Sequence, residues 1–210
     1  MMFFIYNICL LIILLISPII LLIRIFLGKE DKIRFKEKFC LFSKKNYVNG
    51  TIWFHGASVG EILSIIPIVE KFEKDNKIKK ILITSSTTSS SYILSKYKFK
   101  KTIHQFYPFD LNILTKLFIN YWKPRLAIFV DSEIWPNMYN NLYKEKIPLI
   151  LLNARITEKS FKRWKYFPNF SKNIFEKISV ALPQNKESKK YLKLLGTKNI
   201  KIAGNIKFYG

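Results

Sequence analysis

From Thr51 onward, short apolar runs alternate with helix-length amphipathic ones, and that alternation leaves few architectures open. The strand-like runs are TIWFH (51–55), KILIT (80–84), TIHQFY (102–107), RLAIFV (125–130), PLILLN (148–153), ISVALP (178–183) and NIKIAG (199–204). Between them the pattern predicts helices over Val59–Lys74, Ser90–Tyr97, Leu111–Trp122, Asn137–Lys144, Ser160–Phe175 and Lys186–Leu195. The strand-like runs are nearly continuous in apolar residues rather than alternating, as strands are when helices cover both sheet faces. The reading is an α/β domain over 51–210, with a doubly wound, mainly parallel sheet and right-handed crossovers. At 49% hydrophobic residues, a chain of 210 can bury one sizeable core.

Ahead of this domain, Met1 to Ile23 contains no charged residue. A helix of that length reaches about 35 Å at ~1.5 Å per residue, enough to cross a bilayer. A cleaved signal peptide is the competing reading. It would want a basic leading region, a shorter apolar stretch and a small-residue cleavage site, none of which is present. Residues 1–23 are therefore read as a single-pass transmembrane anchor. Residues 24–50 form a basic juxtamembrane segment, with Arg24, Lys29, Lys32, Arg34, Lys36 and Lys38 against Glu30, Asp31 and Glu37. By the positive-inside rule this flank and the domain after it belong on the cytoplasmic side. The same residues, interleaved with Ile33, Phe35 and Phe39, fit either a surface lying along anionic headgroups or an ordinary solvated helix face.

The formal net charge of +22 points to an anionic partner: nucleic acid, a membrane surface or a phosphorylated substrate. The apolar N-terminus favours the membrane over nucleic acid. Cys9 and Cys40 have neither metal-ligand spacing nor a disulfide framework.

In doubly wound sheets, ligands bind beyond the carboxyl ends of the strands. Directly after the predicted strands come HGASVGE, SSTT, PFD, DSEIWPN, NARIT, QNKES and GNIKF, which gather Ser58, Glu61, Ser85, Thr87, Asp110, Asp131, Glu133, Asn153, Arg155, Gln184 and Lys207 at one edge. Ser58 to Glu61 fits the capping box S-x-x-E, a role that requires no function. Gly60 argues for more, because glycine in a first helical turn costs up to about 1 kcal/mol against alanine. Close approach of a ligand to that backbone would explain it, at a helix N-terminus suited to anionic groups. Asp131 and Glu133 fit two readings equally: functional acids, or structural partners of Arg155 or Lys207. His55 and His104 read as structural strand-end residues, since neither is paired with a nucleophile.

Taken in order, WFHGASVGE, ITSSTT, FYPFD, VDSEIWPN, LLNARIT and GNIKF, behind an apolar N-terminus, resemble the 3-deoxy-D-manno-octulosonic acid (Kdo) transferases of lipopolysaccharide core assembly. The resemblance covers essentially the whole chain. It implies the N-terminal, acceptor-binding half of a GT-B glycosyltransferase with Rossmann-like halves, the C-terminal CMP-binding domain being absent and Gly210 falling where the interdomain linker begins. The implied reaction moves Kdo from CMP-Kdo to a tetraacylated lipid A precursor, with inversion and with no metal or other cofactor, at the cytoplasmic face of the inner membrane. Glu61 would be the proton acceptor, and Asp131 and Lys207 would stabilise the transition state. Ser58, Gly60, Glu133 and Arg155 would meet the acceptor. Asp131 stands where the family usually has Glu, and Tyr209 where it usually has Asp. The stretch KSFKRWKYFPNFSKNIF (159–175), basic and aromatic together, suits the headgroup level of a lipid acceptor. A rival reading from another class is a non-catalytic, membrane-anchored remnant or subunit that binds anionic lipid.

Overall fold

The computed structural model describes residues 2–42 and 50–202. An N-terminal helix, α1 (Met2–Phe26), and a 3-10 turn (Arg34–Phe39) precede the domain. The domain then runs β1 (Thr51–His55), α2 (Val59–Lys74), β2 (Ile81–Ser85), α3 (Thr88–Ser95), β3 (Thr102–Phe106), α4 (Asn112–Trp122), β4 (Pro124–Val130), α5 (Pro136–Lys144), β5 (Leu149–Ala154), α6 (Glu158–Lys165), α7 (Pro168–Phe175), β6 (Val180–Pro183) and α8 (Lys186–Leu195). All strand pairs are parallel, in the order β3-β2-β1-β4-β5-β6. This is the doubly wound order, and its direction reverses between β1 and β4.

Alternate residues of each strand feed two separate cores, which explains the unbroken apolar runs. On one face Ile52, Phe54, Ile81, Ile83, Ile128 and Val130 pack with Ile62, Ile65 and Val69 of α2. On the other, Trp53, Leu82, Ala127 and Phe129 pack with residues of α4, α5, α7 and α8, including Trp122, Met138, Phe175 and Leu192. At roughly 25 cal/mol per Å² of apolar surface removed from water, these two layers are the main stabilising term.

Two predicted elements differ from what forms. The amphipathic pattern over Ser160–Phe175 divides into α6 and α7, because Pro168 cannot donate an N–H and takes the first position of a new helix. Its predecessor Phe167 leaves the helical region at φ −126° and ψ 67°. Of the seventh strand-like run, the described residues form only a single parallel bridge, Ala181 to Ile200.

The basic segment after α1 is largely spent inside the protein. Glu37 is buried, accepts from the Phe106 N–H at 2.9 Å and is forked by the Arg34 guanidinium at 2.8 and 3.0 Å. Arg34 also donates to the His104 carbonyl and to Ser91, both at 3.0 Å. Glu30, equally buried, pairs with Lys38 at 2.6 Å and Arg24 at 3.2 Å. Buried carboxylates need such partners, so neither reading of these cations as solvent- or headgroup-facing holds for Arg34 and Lys38, while Arg24 pairs with Glu30 from a half-open position. The segment clasps the edge strand β3, and among its described cations Lys29, Lys32 and Lys36 are exposed.

Candidate active site

Where the sheet reverses direction, the loops after β1 and β4 meet. Ser58 is the N-cap of α2, and its hydroxyl accepts from the Glu61 N–H at 3.4 Å. Glu61 reaches back: one carboxylate oxygen accepts from the Ala57 N–H at 2.7 Å, and the other from the Ser58 hydroxyl at 2.9 Å. The predicted capping box forms, and it holds the carboxylate at the open edge. Burial pushes the Glu61 carboxyl above the usual range, with the like charges of Glu133 and, more weakly, Asp131 adding to it against the two hydrogen bonds. A carboxylate so raised is a better proton acceptor than an ordinary one.

Gly60 is exposed, its φ is negative, and a methyl group placed on it would meet nothing within 4 Å. No packing among the described residues therefore calls for glycine there. Gly56 is different. A side chain on it would come within 3.0 Å of the Glu61 Cβ, so its bareness lets the catalytic candidate seat itself.

Glu133 is held by residues that the sequence pattern does not single out. Its Oε2 lies 3.1 Å from His55 Nε2 and 2.9 Å from Trp135 Nε1. Trp53 Nε1–H, which can only donate, gives its proton to Thr84 Oγ1 at 2.8 Å, and that oxygen lies 2.9 Å from His55 Nδ1. Nε2–H donates to Glu133, while Nδ1 faces the Thr84 hydroxyl at 2.9 Å and the Thr84 carbonyl at 3.3 Å. Tyr107 stacks on the imidazole at 3.9 Å. Burial opposes ionisation of Glu133, but the bonds from His55 and Trp135 outweigh it and hold its carboxyl below the usual range. His55 is thus more than a strand-end residue. His104 does fit the structural reading. Burial and Arg34 push it down to about 3, so it stays neutral, with Nδ1 accepting from Arg34 at 3.0 Å and Nε2 bonded to Ser85 at 2.9 Å.

Asp131 directly follows β4 in the left-handed region at φ 57°, and Asn153, the penultimate residue of the neighbouring β5, sits there at φ 52°. The Asn153 amide donates to Asp131 Oδ1. The Arg155 N–H donates to the Asp131 carbonyl at 3.1 Å, and the Ser132 hydroxyl to the Arg155 carbonyl at 2.7 Å. Asp131 is buried, whereas the Arg155 side chain is exposed and pairs with neither acid among the described residues. Of the two cations expected beside these acids, Arg155 pairs with neither and Lys207 falls outside the described residues; Asn153 donates to Asp131, and His55 with Trp135 to Glu133. Glu61, Asp131 and Glu133 are brought together and Arg155 stands beside them. Lys207 lies outside the described residues.

A Rossmann-like layer with its polar groups at the β1–β4 reversal places the chain among GT-B-like folds. The UDP-GlcNAc 2-epimerase of Neisseria meningitidis superposes with a TM-score of 0.54 at 13% identity, over 75% of this chain and 47% of that one. S. aureus MnaA, solved with UDP, gives 0.53 at 13%, over 76% and 46%. At such identities the likeness is one of fold. The chain belongs to the 3-deoxy-D-manno-octulosonic-acid transferase (kdotransferase) family, whose model matches residues 33–209. Among its relatives, the 3-deoxy-D-manno-octulosonic acid transferase of Rickettsia bellii (strain RML369-C) is 39% identical over 90% of this chain, and that of Haemophilus influenzae (strain ATCC 51907 / DSM 11121 / KW20 / Rd) is 30% identical over 75%. The chain spans 45% and 37% of those two proteins.

Proposed function

We propose that this chain supplies the acceptor-binding half of an inverting glycosyltransferase. The enzyme would move Kdo from CMP-Kdo to a tetraacylated lipid A precursor at the cytoplasmic face of the inner membrane. The observation that carries this reading is Glu61, a carboxylate raised by burial and fixed by the capping box where the sheet reverses. In the proposed step an acceptor hydroxyl gives its proton to Glu61 as its oxygen bonds to the anomeric carbon of Kdo. The bond from that carbon to the phosphate breaks, and CMP leaves with the electron pair. A base so placed contributes about 10²–10⁴ in rate.

Glu133 has a different part. Held ionised by His55 and Trp135, it supports the proton affinity of Glu61 and presents its free oxygen toward the acceptor. Ser58, Gly60 and Arg155 complete the acceptor side. Asp131, steadied by Asn153, and Lys207 are assigned to transition-state stabilisation, the lysine facing charge on the donor carboxylate or phosphate. The membrane supplies the acceptor, and α1 provides the hold on it.

The test is Glu61→Gln in an enzyme that includes a CMP-binding half, assayed with CMP-Kdo and a tetraacylated lipid A precursor. Glutamine can still accept from the Ala57 N–H and bond Ser58, so folding is expected to survive while transfer falls by about 10²–10⁴. Retained turnover would defeat the assignment.

A further inference from the structure

By composition α1 reads as a bilayer span, with a mean hydropathy of 3.0 over its most apolar stretch. Its contacts give it another relation to the domain. Near its N-terminus the Tyr6 hydroxyl donates to Asp110 Oδ2 at 2.8 Å, Asn7 Oδ1 accepts from Asn137 Nδ2 at 2.9 Å, and the Phe3 ring meets Phe170 edge-on at 5.0 Å. Midway, Leu11 and Leu14 line a groove shared with Phe39, Leu111, Ile113 and Leu114. Ser17 and Leu21 are buried. At the far end Arg24 pairs with Glu30, which also holds Lys38 just before the chain clasps β3. The inward residues Phe3, Asn7, Leu10, Leu14, Ser17, Leu21 and Arg24 recur at three- and four-residue steps, so one continuous face is docked.

Twenty-five helical residues extend about 37 Å; the N-terminal end touches the domain itself, and the far end is tied through Glu30 and Lys38 to the segment held on β3. A helix that crosses a hydrocarbon layer ~30 Å thick delivers its ends to opposite sides. It cannot leave both on a domain that stays in water on one side. Crossing would also strip the Tyr6 hydroxyl from the buried Asp110 and carry Asn7 away from Asn137, leaving polar groups without partners.

We infer that α1 lies in the plane of the membrane, its inner face docked on the domain and its outer face sunk into one anionic leaflet, so that both of its ends stay on the domain's side. The outer face is wholly apolar, with Phe4, Leu15, Ile19 and Phe26 between 62% and 88% exposed. Such a stripe does not belong in water. The charge beside it fits an anionic leaflet. Phe170, against which Phe3 packs, continues into the α6–α7 corner, where exposed Tyr166 and Phe167 sit among exposed Lys162, Arg163, Lys165 and Lys172. Aromatic rings and lysines at one level are the chemistry of the headgroup region.

The experiment reads sidedness and proximity, independent of turnover. The full chain is given a hydrophilic N-terminal tag, with Cys9 and Cys40 replaced by alanine. In sealed inner-membrane vesicles, protease and impermeant reagents are expected to reach the tag from the same side as a cysteine at the exposed Lys32 (Lys32→Cys). A tag protected on that side and reached only from the other overturns the inference. In the same background Asn7→Cys and Asn137→Cys are expected to be bridged by a short bismaleimide within the membrane. Failure to bridge, in vesicles whose Lys32→Cys control labels fully, overturns the docked arrangement as well.

Discussion

Glu61 and Asp110 are both carboxylates that accept backbone N–H bonds at the start of a helix, and they are built in opposite ways. Glu61 caps its own helix through neighbours three and four residues away and stays partly open to solvent. Asp110 caps a distant one. Its two oxygens accept from the Asn137 and Met138 N–H groups of α5 at 2.9 and 2.8 Å, and from Tyr6 of α1, while the side chain is buried. Both are raised by burial, Asp110 from 3.8 to about 7 against the bonds of Asn137, Tyr6 and Met138. Both oxygens of Asp110 are engaged inside the protein, whereas Glu61 keeps capacity for something arriving from outside. An acid can be held in order to join elements, or held in order to react, and exposure separates the two.

The sharpest break of this comparison is Asp110→Asn. The amide must face an N–H donor with its own NH₂, at either oxygen position, so stability is expected to fall by about 2–3 kcal/mol, where Glu61→Gln changes it little. Denaturant titration of both variants decides this. The sign of the pH dependence follows from the raised folded-state value. The stability contributed by Asp110 is full below about 4 and is lost as pH rises through about 7, and that slope disappears in Asp110→Asn.

A smaller effect is expected at His55. His55→Asn keeps a bond to Thr84 but cannot reach Glu133, and turnover is expected to drop roughly tenfold as Glu133 drifts from its place beside Glu61. A drop in thermal stability with unchanged turnover per folded molecule would assign His55 to packing alone. Smaller still, Glu133→Gln removes a like charge next to Glu61, so the acid limb of kcat/KM moves to lower pH. A stationary limb would mean that another group sets it. The smallest change is Gly60→Ala. With open space around the added methyl, the fold gains up to about 1 kcal/mol while KM for the lipid acceptor rises. A stabilised variant with unchanged KM would remove the reason offered for that glycine.

The same contrast explains what the sequence shows of itself. The capping box is legible because its partners lie within four residues, and the six strands are legible because two buried faces demand unbroken apolar runs. The Tyr6–Asp110 bond spans 104 positions and the His55–Glu133 contact 78, and no local pattern marks either. By charge alone Arg155 is a natural partner for the acids, yet its side chain pairs with neither, and the groups that do reach them, Asn153, His55 and Trp135, carry no formal charge pattern in the sequence. The break at Pro168 is the opposite case: its signal stands in plain view, and only the amphipathic rhythm across it predicts one helix.

Asp131 and Asn153 lie at the carboxyl ends of adjacent strands, one just past β4 and one next to last in β5, in the left-handed region that aspartate and asparagine enter more easily than most residues, and their side chains bond one another. The two positions therefore make one heritable unit. A branched residue at either resists the local backbone, and loss of the carboxylate at 131 takes from the Asn153 amide the acceptor it has here. In a lineage of such chains, drift at 131 should be answered at 153, and the pair should read as a correlated column even though the two sites are 22 residues apart.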